Sequence, residues 1–111
     1  MTNHKWIDNF PGGITVCDCE GIILDMNAKA EQIQNLGRGE LIGASLFNCH
    51  PESAREQLRV LLENPQPSIY TFEKNGKTVL IYHVPLFESD KFQGFIELFL
   101  DIPNQIPHFI R

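Results

Sequence analysis

No apolar run in this sequence approaches the roughly 18 residues needed to cross a bilayer. The N-terminus, MTNHKWIDNF, also lacks the apolar core of a secretory signal, so the expected location is the cytoplasm, with no membrane partner. Basic charge is sparse and scattered: nine Lys and Arg stand against 14 Asp and Glu, for a net charge of −5. Direct nucleic-acid binding calls for a basic patch, and none is present. Cysteine is scarce at three residues, an odd number. Cys17 and Cys19 lie two apart on an expected strand, a poor spacing for a mutual disulfide, which favours reduced thiols in a reducing compartment. There is no internal repeat and no low-complexity segment. There is also no phosphate loop, because neither Gly12-Gly13 nor Gly37 and Gly39 lead into a Lys-Ser/Thr pair. Nucleophilic catalysis would need Cys49 or a serine with a positioned base and an oxyanion hole. Ser45, Ser53 and Ser68 have no supporting motif, and sequence neighbours such as Cys49 and His50 point apart. An enzyme is therefore not the expected class. A Cys₃His zinc site from Cys17, Cys19, Cys49 and His50 would lack the usual wider pair spacing, so no metal site is expected.

What is present suits one ordinary globular domain: 111 residues, 42% hydrophobic and 21% charged. The rest is organised around residues 40–63, ELIGASLFNCHPESAREQLRVLLE. Ala54, Leu58, Leu61 and Leu62 recur at helical spacing and give one apolar stripe. Pro51 suits the first helical position, Glu52 suits the helix dipole, and Asn64-Pro65 stops the helix. Arg55 and Arg59 fall on the polar face near Glu52 and Glu56. His50 stands at the helix entrance, where its ring can bond backbone or solvent, or reach a ligand in a suitably built pocket.

Before this stretch, residues 4–10 read as a short helix carrying Trp6, Ile7 and Phe10. Residues 14–18 and 22–26 read as a hairpin, and residues 28–36 as a helix capped by Asn27. After it, residues 69–73 and 78–84 flank Asn75-Gly76, the strongest hairpin signal in the chain. Pro85 is expected to end the second of these strands, and residues 88–91 to form a polar loop. Residues 92–100 form the last strand. The order predicts an α+β fold: a five-stranded antiparallel sheet with helices on one face, strand-strand-helices-strand-strand-strand. Residues 1–12 flank a core at 13–102, and 103–111 form a tail. The last strand is apolar on both faces, Phe95 and Phe99 on one and Ile96, Leu98 and Leu100 on the other. An antiparallel strand with one wet face should alternate. The second face is thus expected to be covered, either by the segment with Trp6, Ile7 and Phe10 or by a second copy of the chain.

Asp18-x-x-Gly21-x-Ile23-x-x-x-Asn27, then Glu40-Leu41-Ile42-Gly43, Asn75-Gly76, Gly94-Phe95-Ile96-Glu97 and Asp101-Ile102 follow one another in an order and at spacings that, taken together, resemble those of a PAS domain. The segment Asn48-Cys49-His50-Pro51 is similar to a subgroup of PAS domains, some found beside hemerythrin-like domains in bacterial proteins. The resemblance implies a signal-transduction module that senses a small ligand between the main helix and the sheet, or that serves dimerisation, and that regulates an attached effector or a partner. This chain has no room for an effector, so a stand-alone module or a piece of a longer protein is expected. Flavin-type photosensory relatives carry a reactive cysteine in a Gly-x-Asn-Cys-Arg-like motif. Aligning Gly43 with that glycine places Leu46 at the cysteine. Some haem-binding relatives carry a histidine early in the main helix, where this chain has Glu56, a poor axial ligand. Haem and flavin are thus disfavoured and the cofactor is left open. The candidate pocket is Leu58, Leu62, Ile69, Ile81 and Phe95, with His50 and Tyr82 as polar contacts. Tyr82 and His83 point to opposite faces, so one of the two should meet the helix. A homodimer through Trp6, Ile7 and Phe10 is expected, and the alternative is a ligand-free docking adaptor.

Overall fold

A computed structural model describes residues 5–34, 41–49 and 51–111. Helix α1 (Lys5–Asp8) leads into strand β1 (Gly13–Asp18) and strand β2 (Ile23–Met26). Helix α2 (Ala28–Gln34) follows, then a 3₁₀ turn (Leu46–Cys49) and the main helix α3 (Glu52–Glu63). Strands β3 (Ser68–Lys74), β4 (Lys77–Glu88) and β5 (Lys91–Ile102) close the chain. All pairings are antiparallel, in the order β2-β1-β5-β4-β3. The expected five-stranded sheet is therefore present. The last strand sits at its centre, hydrogen-bonded to β1 on one side and β4 on the other, and its near-continuous apolar run suits that place.

Local chemistry fixes each connection. Asp18 Oδ1 accepts from the Glu20 and Ile22 amides at 2.9 Å each, closing the first hairpin as an Asx turn. Asn75 and Gly76 take φ of 54° and 78°, as a two-residue primed turn requires, and bring Lys74 opposite Lys77. Residues 43–46 run alongside β2. Gly43 N–H donates to Ile23 O and Ile23 N–H to Ala44 O, both at 2.8 Å, and the outer edge of the sheet is covered there.

Three expectations change. Residues 88–91 are a tight turn around Ser89 and Asp90, at φ of 51° and 65°, and not an open loop. Pro85 does not end β4. Pairing with β3 stops at Ser68 opposite His83, so beyond that point no neighbour on that side needs the proline's missing N–H. Pro51 is the N-cap of α3, one position earlier than read, and its carbonyl accepts from the Ala54 and Arg55 amides. The stop at Asn64 is as read, its amide donating to Val60 O at 2.8 Å. Glu56 and Arg59 form an exposed ion pair on the polar face of α3, an arrangement that contributes little to stability.

The core lies between the helices and the inner face of the sheet. Leu58 and Leu61 of α3 are buried with Cys17, Ile23 and Phe95 of the sheet, Ala30 of α2, and Leu41 and Leu46 of the connecting segment. Burial of an aliphatic side chain contributes roughly 1.5–3 kcal/mol, so Leu58 and Leu61 are what hold α3 down. The last two residues of the helix expected at 28–36 lie outside the described residues. No helix among the described residues is long and apolar enough to cross a membrane.

Candidate functional site

Strand alternation puts one polar row across the inner face. Register sets Ser68 opposite His83, His83 opposite Glu97, and Glu97 opposite Thr15. The rows on either side are mainly apolar or aromatic: Cys17, Phe95 and Pro85 on one, Phe99, Ile81 and Tyr70 on the other. His83 is 4% exposed. Its Nε2–H donates to Glu97 Oε2 at 2.8 Å. Its Nδ1 is buried and has no hydrogen-bond partner among the described residues. The ring packs edge-on to Phe95, with centroids 6.2 Å apart, and tilted against Tyr70 at 6.3 Å.

Two small cavities border this histidine under α3. One, of about 10 Å³, lies among Phe47, Leu58, Leu62, Phe95 and the His83–Glu97 pair. The other, also about 10 Å³, lies among Ala54, Gln57, Leu61 and Tyr70. Each is large enough for about one water. Typical small-molecule sites take roughly 300–1,000 Å³, so a larger guest can enter only if α3 moves away from the sheet.

Cys17 lines the first cavity, and burial pushes its thiol up to about 11. A thiol held neutral in this way is a poor nucleophile at physiological pH. Cys19 is exposed in the turn beyond β1, so the two thiols do not converge. Burial also raises Tyr70, with the Glu97 charge adding to the effect. The Cys17 shift has a stability consequence. An unfolded thiol ionises near pH 8.5. The folded one stays neutral to about pH 11. Stability is therefore full below pH 8.5 and falls as pH rises toward 11, by roughly 3 kcal/mol from this group. Urea midpoints measured at both ends of that range should show the drop, and Cys17→Val should remove most of it. An equally steep fall in the variant would refute the assignment.

A sequence profile described as a PAS fold matches residues 7–105, nearly the whole chain. The chain belongs to the PAS family. Solved structures agree on the fold. The PAS domain of BvgS from Bordetella pertussis superposes with a TM-score of 0.73 at 23% identity, over 92% of this chain and 85% of that one. A sensory box sensor histidine kinase from Vibrio cholerae gives 0.72 at 12% identity, over 91% and 89%. The PAS domain of a protein from Colwellia psychrerythraea gives 0.71 at 22%, over 91% and 94%. No curated protein matches the chain at a significant level.

Within this PAS domain, Leu58, Leu62 and Phe95 line the cavity between α3 and the sheet. Ile81 is buried on the same inner face, one row away from His83. Ile69 and Tyr82 do not belong with them. They pair with each other on the opposite face, and Ile69 is 59% exposed. Successive strand residues alternate faces, so Tyr82 cannot share a side with Ile81. The inner polar groups are instead His83, Glu97 and Thr15, which the sequence reading did not assign to the pocket. His50 and the Cys49 side chain lie outside the described residues. Of the proposed dimer contacts, Trp6 is 74% exposed, and Ile7 and Phe10 are half-buried. Phe10 lies against the start of β1 near Leu100 of β5: a Cβ on Gly12 would fall 2.8 Å from its ring and 3.0 Å from Leu100 Cδ1.

Proposed function

We propose that this PAS domain is a signal-transduction module whose output is a contact made through the outer face of its sheet, with a second copy of the chain as partner. The observation that carries the reading is the composition of that face. Leu80, Val84, Ile96 and Leu98 sit where an antiparallel sheet facing water would place polar residues. Ile69 and Val84 on that face are exposed. Contiguous apolar surface of this kind marks association sites. Trp6 on α1 is a further exposed apolar side chain. A change in how two copies pair would then be passed to an attached or separate regulatory effector, as a shift between two pre-existing arrangements. The role is regulatory and not catalytic, in keeping with the inert Cys17. Free Cys17 and Cys19 suit a reducing compartment such as the cytoplasm.

Light scattering coupled to size exclusion tests this. The wild-type chain should run as a dimer. Ile69→Glu combined with Val84→Glu should run as a monomer with an unchanged circular dichroism spectrum. A wild type that stays monomeric at every accessible concentration removes the self-association reading.

A second reading, ligand sensing between α3 and the inner face, is favoured by the unpartnered Nδ1 of His83. A buried polar atom of this kind is rare in a finished core. Its neighbours here are two cavities and the helix that the notion of a PAS sensor would have move.

A further inference from the structure

The ligand-sensing reading can be taken further, because the hydrogen bonding of His83 restricts what could bind, and the following rests on that reading. Glu97 is a carboxylate and only accepts, so the proton it shares with His83 lies on Nε2. In the neutral ring Nδ1 is then a bare lone pair. It is fully enclosed, with no partner among the described residues. It lies on the row where both cavities meet His83. We propose that His83 Nδ1 is the recognition point for a small uncharged molecule bearing one O–H or N–H donor on an apolar body, of the class of an alcohol or a phenol.

Each part of that description has a cause. The guest must donate, because Nδ1 of the neutral ring can only accept. It cannot be an anion, because it would meet both the lone pair and the Glu97 carboxylate. Its body must be apolar, because Phe47, Leu58, Leu61, Leu62 and Phe95 surround the approach. Water fits the existing space. A larger donor fits only by lifting α3, whose N-cap Pro51 makes no side-chain capping bond. Lifting α3 is the response such a guest would produce.

Phenol, toluene and benzoate make a discriminating set, since toluene approximates phenol without the donor and benzoate carries the wrong charge. They would be titrated into the ¹⁵N-labelled domain and followed by amide and histidine-ring resonances. Phenol should bind about tenfold more tightly than toluene, the difference expected from one well-made hydrogen bond. It should shift the His83 Nδ1 resonance and the α3 amides, and benzoate should do neither. His83→Phe should bind phenol and toluene alike. Should that variant fail to fold, His83→Phe combined with Glu97→Leu, which leaves no unpaired carboxylate beside the new ring, takes its place with the same expectation. Toluene binding as well as phenol to the wild type overturns the donor assignment while leaving a pocket in place. A phenol preference that survives His83→Phe, or its combination with Glu97→Leu, overturns it too. If none of the three compounds moves α3 or inner-face resonances, only water occupies the site, and the ligand-sensing reading falls along with this inference.

Discussion

Gly94→Ala should destabilise the domain severely or prevent it from folding. Gly94 lies inside β5, at φ of 143°, where an L side chain is strained. A Cβ built there would sit 1.9 Å from the Cys17 carbonyl oxygen and 2.9 Å from the Asp18 backbone. Those atoms belong to the neighbouring strand and cannot swing away as a flexible side chain would. Relief requires β1 to separate from β5, which would break the ladder that joins the two halves of the chain. Strain and overpacking together should cost roughly 4 kcal/mol or more, a large share of the 5–15 kcal/mol typical of a domain. Thermal denaturation should show a transition lowered by tens of degrees or lost. Gly76→Ala supplies the comparison. Gly76 has φ of 78° but nothing within 4 Å of its Cβ position, so only the conformational cost of about 1 kcal/mol applies. If the two variants melt alike, the close approach of β1 to Gly94 is not what makes glycine necessary there.

The same glycine explains what the sequence could and could not disclose about the site. The hairpin at Asn75-Gly76 was legible, and with it the register. A two-residue turn with Lys74 opposite Lys77 places Tyr70 opposite Ile81 and Ile69 opposite Tyr82 by counting alone. Carrying that count through shows that Ile81 and Tyr82 cannot both face α3, and that Ile69 goes with Tyr82. The missing step was arithmetic. The β4–β5 pairing is different. Ser89-Asp90 is also a two-residue turn, and simple counting from Glu88 opposite Lys91 would put Ile96 opposite His83. The ladder instead shifts by one residue between Leu86 and Phe87, next to Gly94. A one-residue shift exchanges the two faces of a strand. The bulge is therefore what turns Glu97 inward to meet His83 and sends Ile96 to the outer surface. Gly94 was visible as part of a family motif, but nothing in its neighbours' propensities announces a bulge. The apolar outer face was legible from the lack of alternation in residues 95–100, because that argument needs no register.

The two proposed roles of the sheet's faces thus run through one strand. β5 carries Glu97 toward the cavity and Ile96 and Leu98 toward the outer surface. A guest that lifts α3 alters packing on one side of this strand, and the proposed partner contact lies on the other. Coupling between them needs no longer path than the thickness of the sheet.

Replacing Asn27 should be nearly as damaging as replacing Gly94, and its two halves can be separated. Asn27 is 1% exposed. Its Oδ1 accepts from Ile14 N–H at 2.8 Å and Ala30 N–H at 3.0 Å, joining β1 to the first turn of α2. Its Nδ2 donates to Ile7 O at 3.0 Å and Gly12 O at 2.9 Å, holding the N-terminal segment against the fold. The sequence reading identified the cap and could not see the other three bonds, which reach up to 20 residues along the chain. Asn27→Ala leaves four backbone groups without their partner and should cost about 3–5 kcal/mol, read as a lower urea midpoint. Asn27→Asp keeps the accepting half and sets a carboxylate oxygen against the Ile7 and Gly12 carbonyls. Amide exchange should then divide. Ala30 and Ile14 should stay protected. Ala28, whose N–H donates to Asp8 Oδ1 at 2.9 Å, should exchange faster as α1 comes away. Were Ala28 to stay protected in Asn27→Asp, Asp8 alone would suffice to dock α1. Were it to open, Asn27 would be the tie between the capped helix of the core and the segment bearing the exposed Trp6, and any rearrangement at the start of α2 would reach that segment directly.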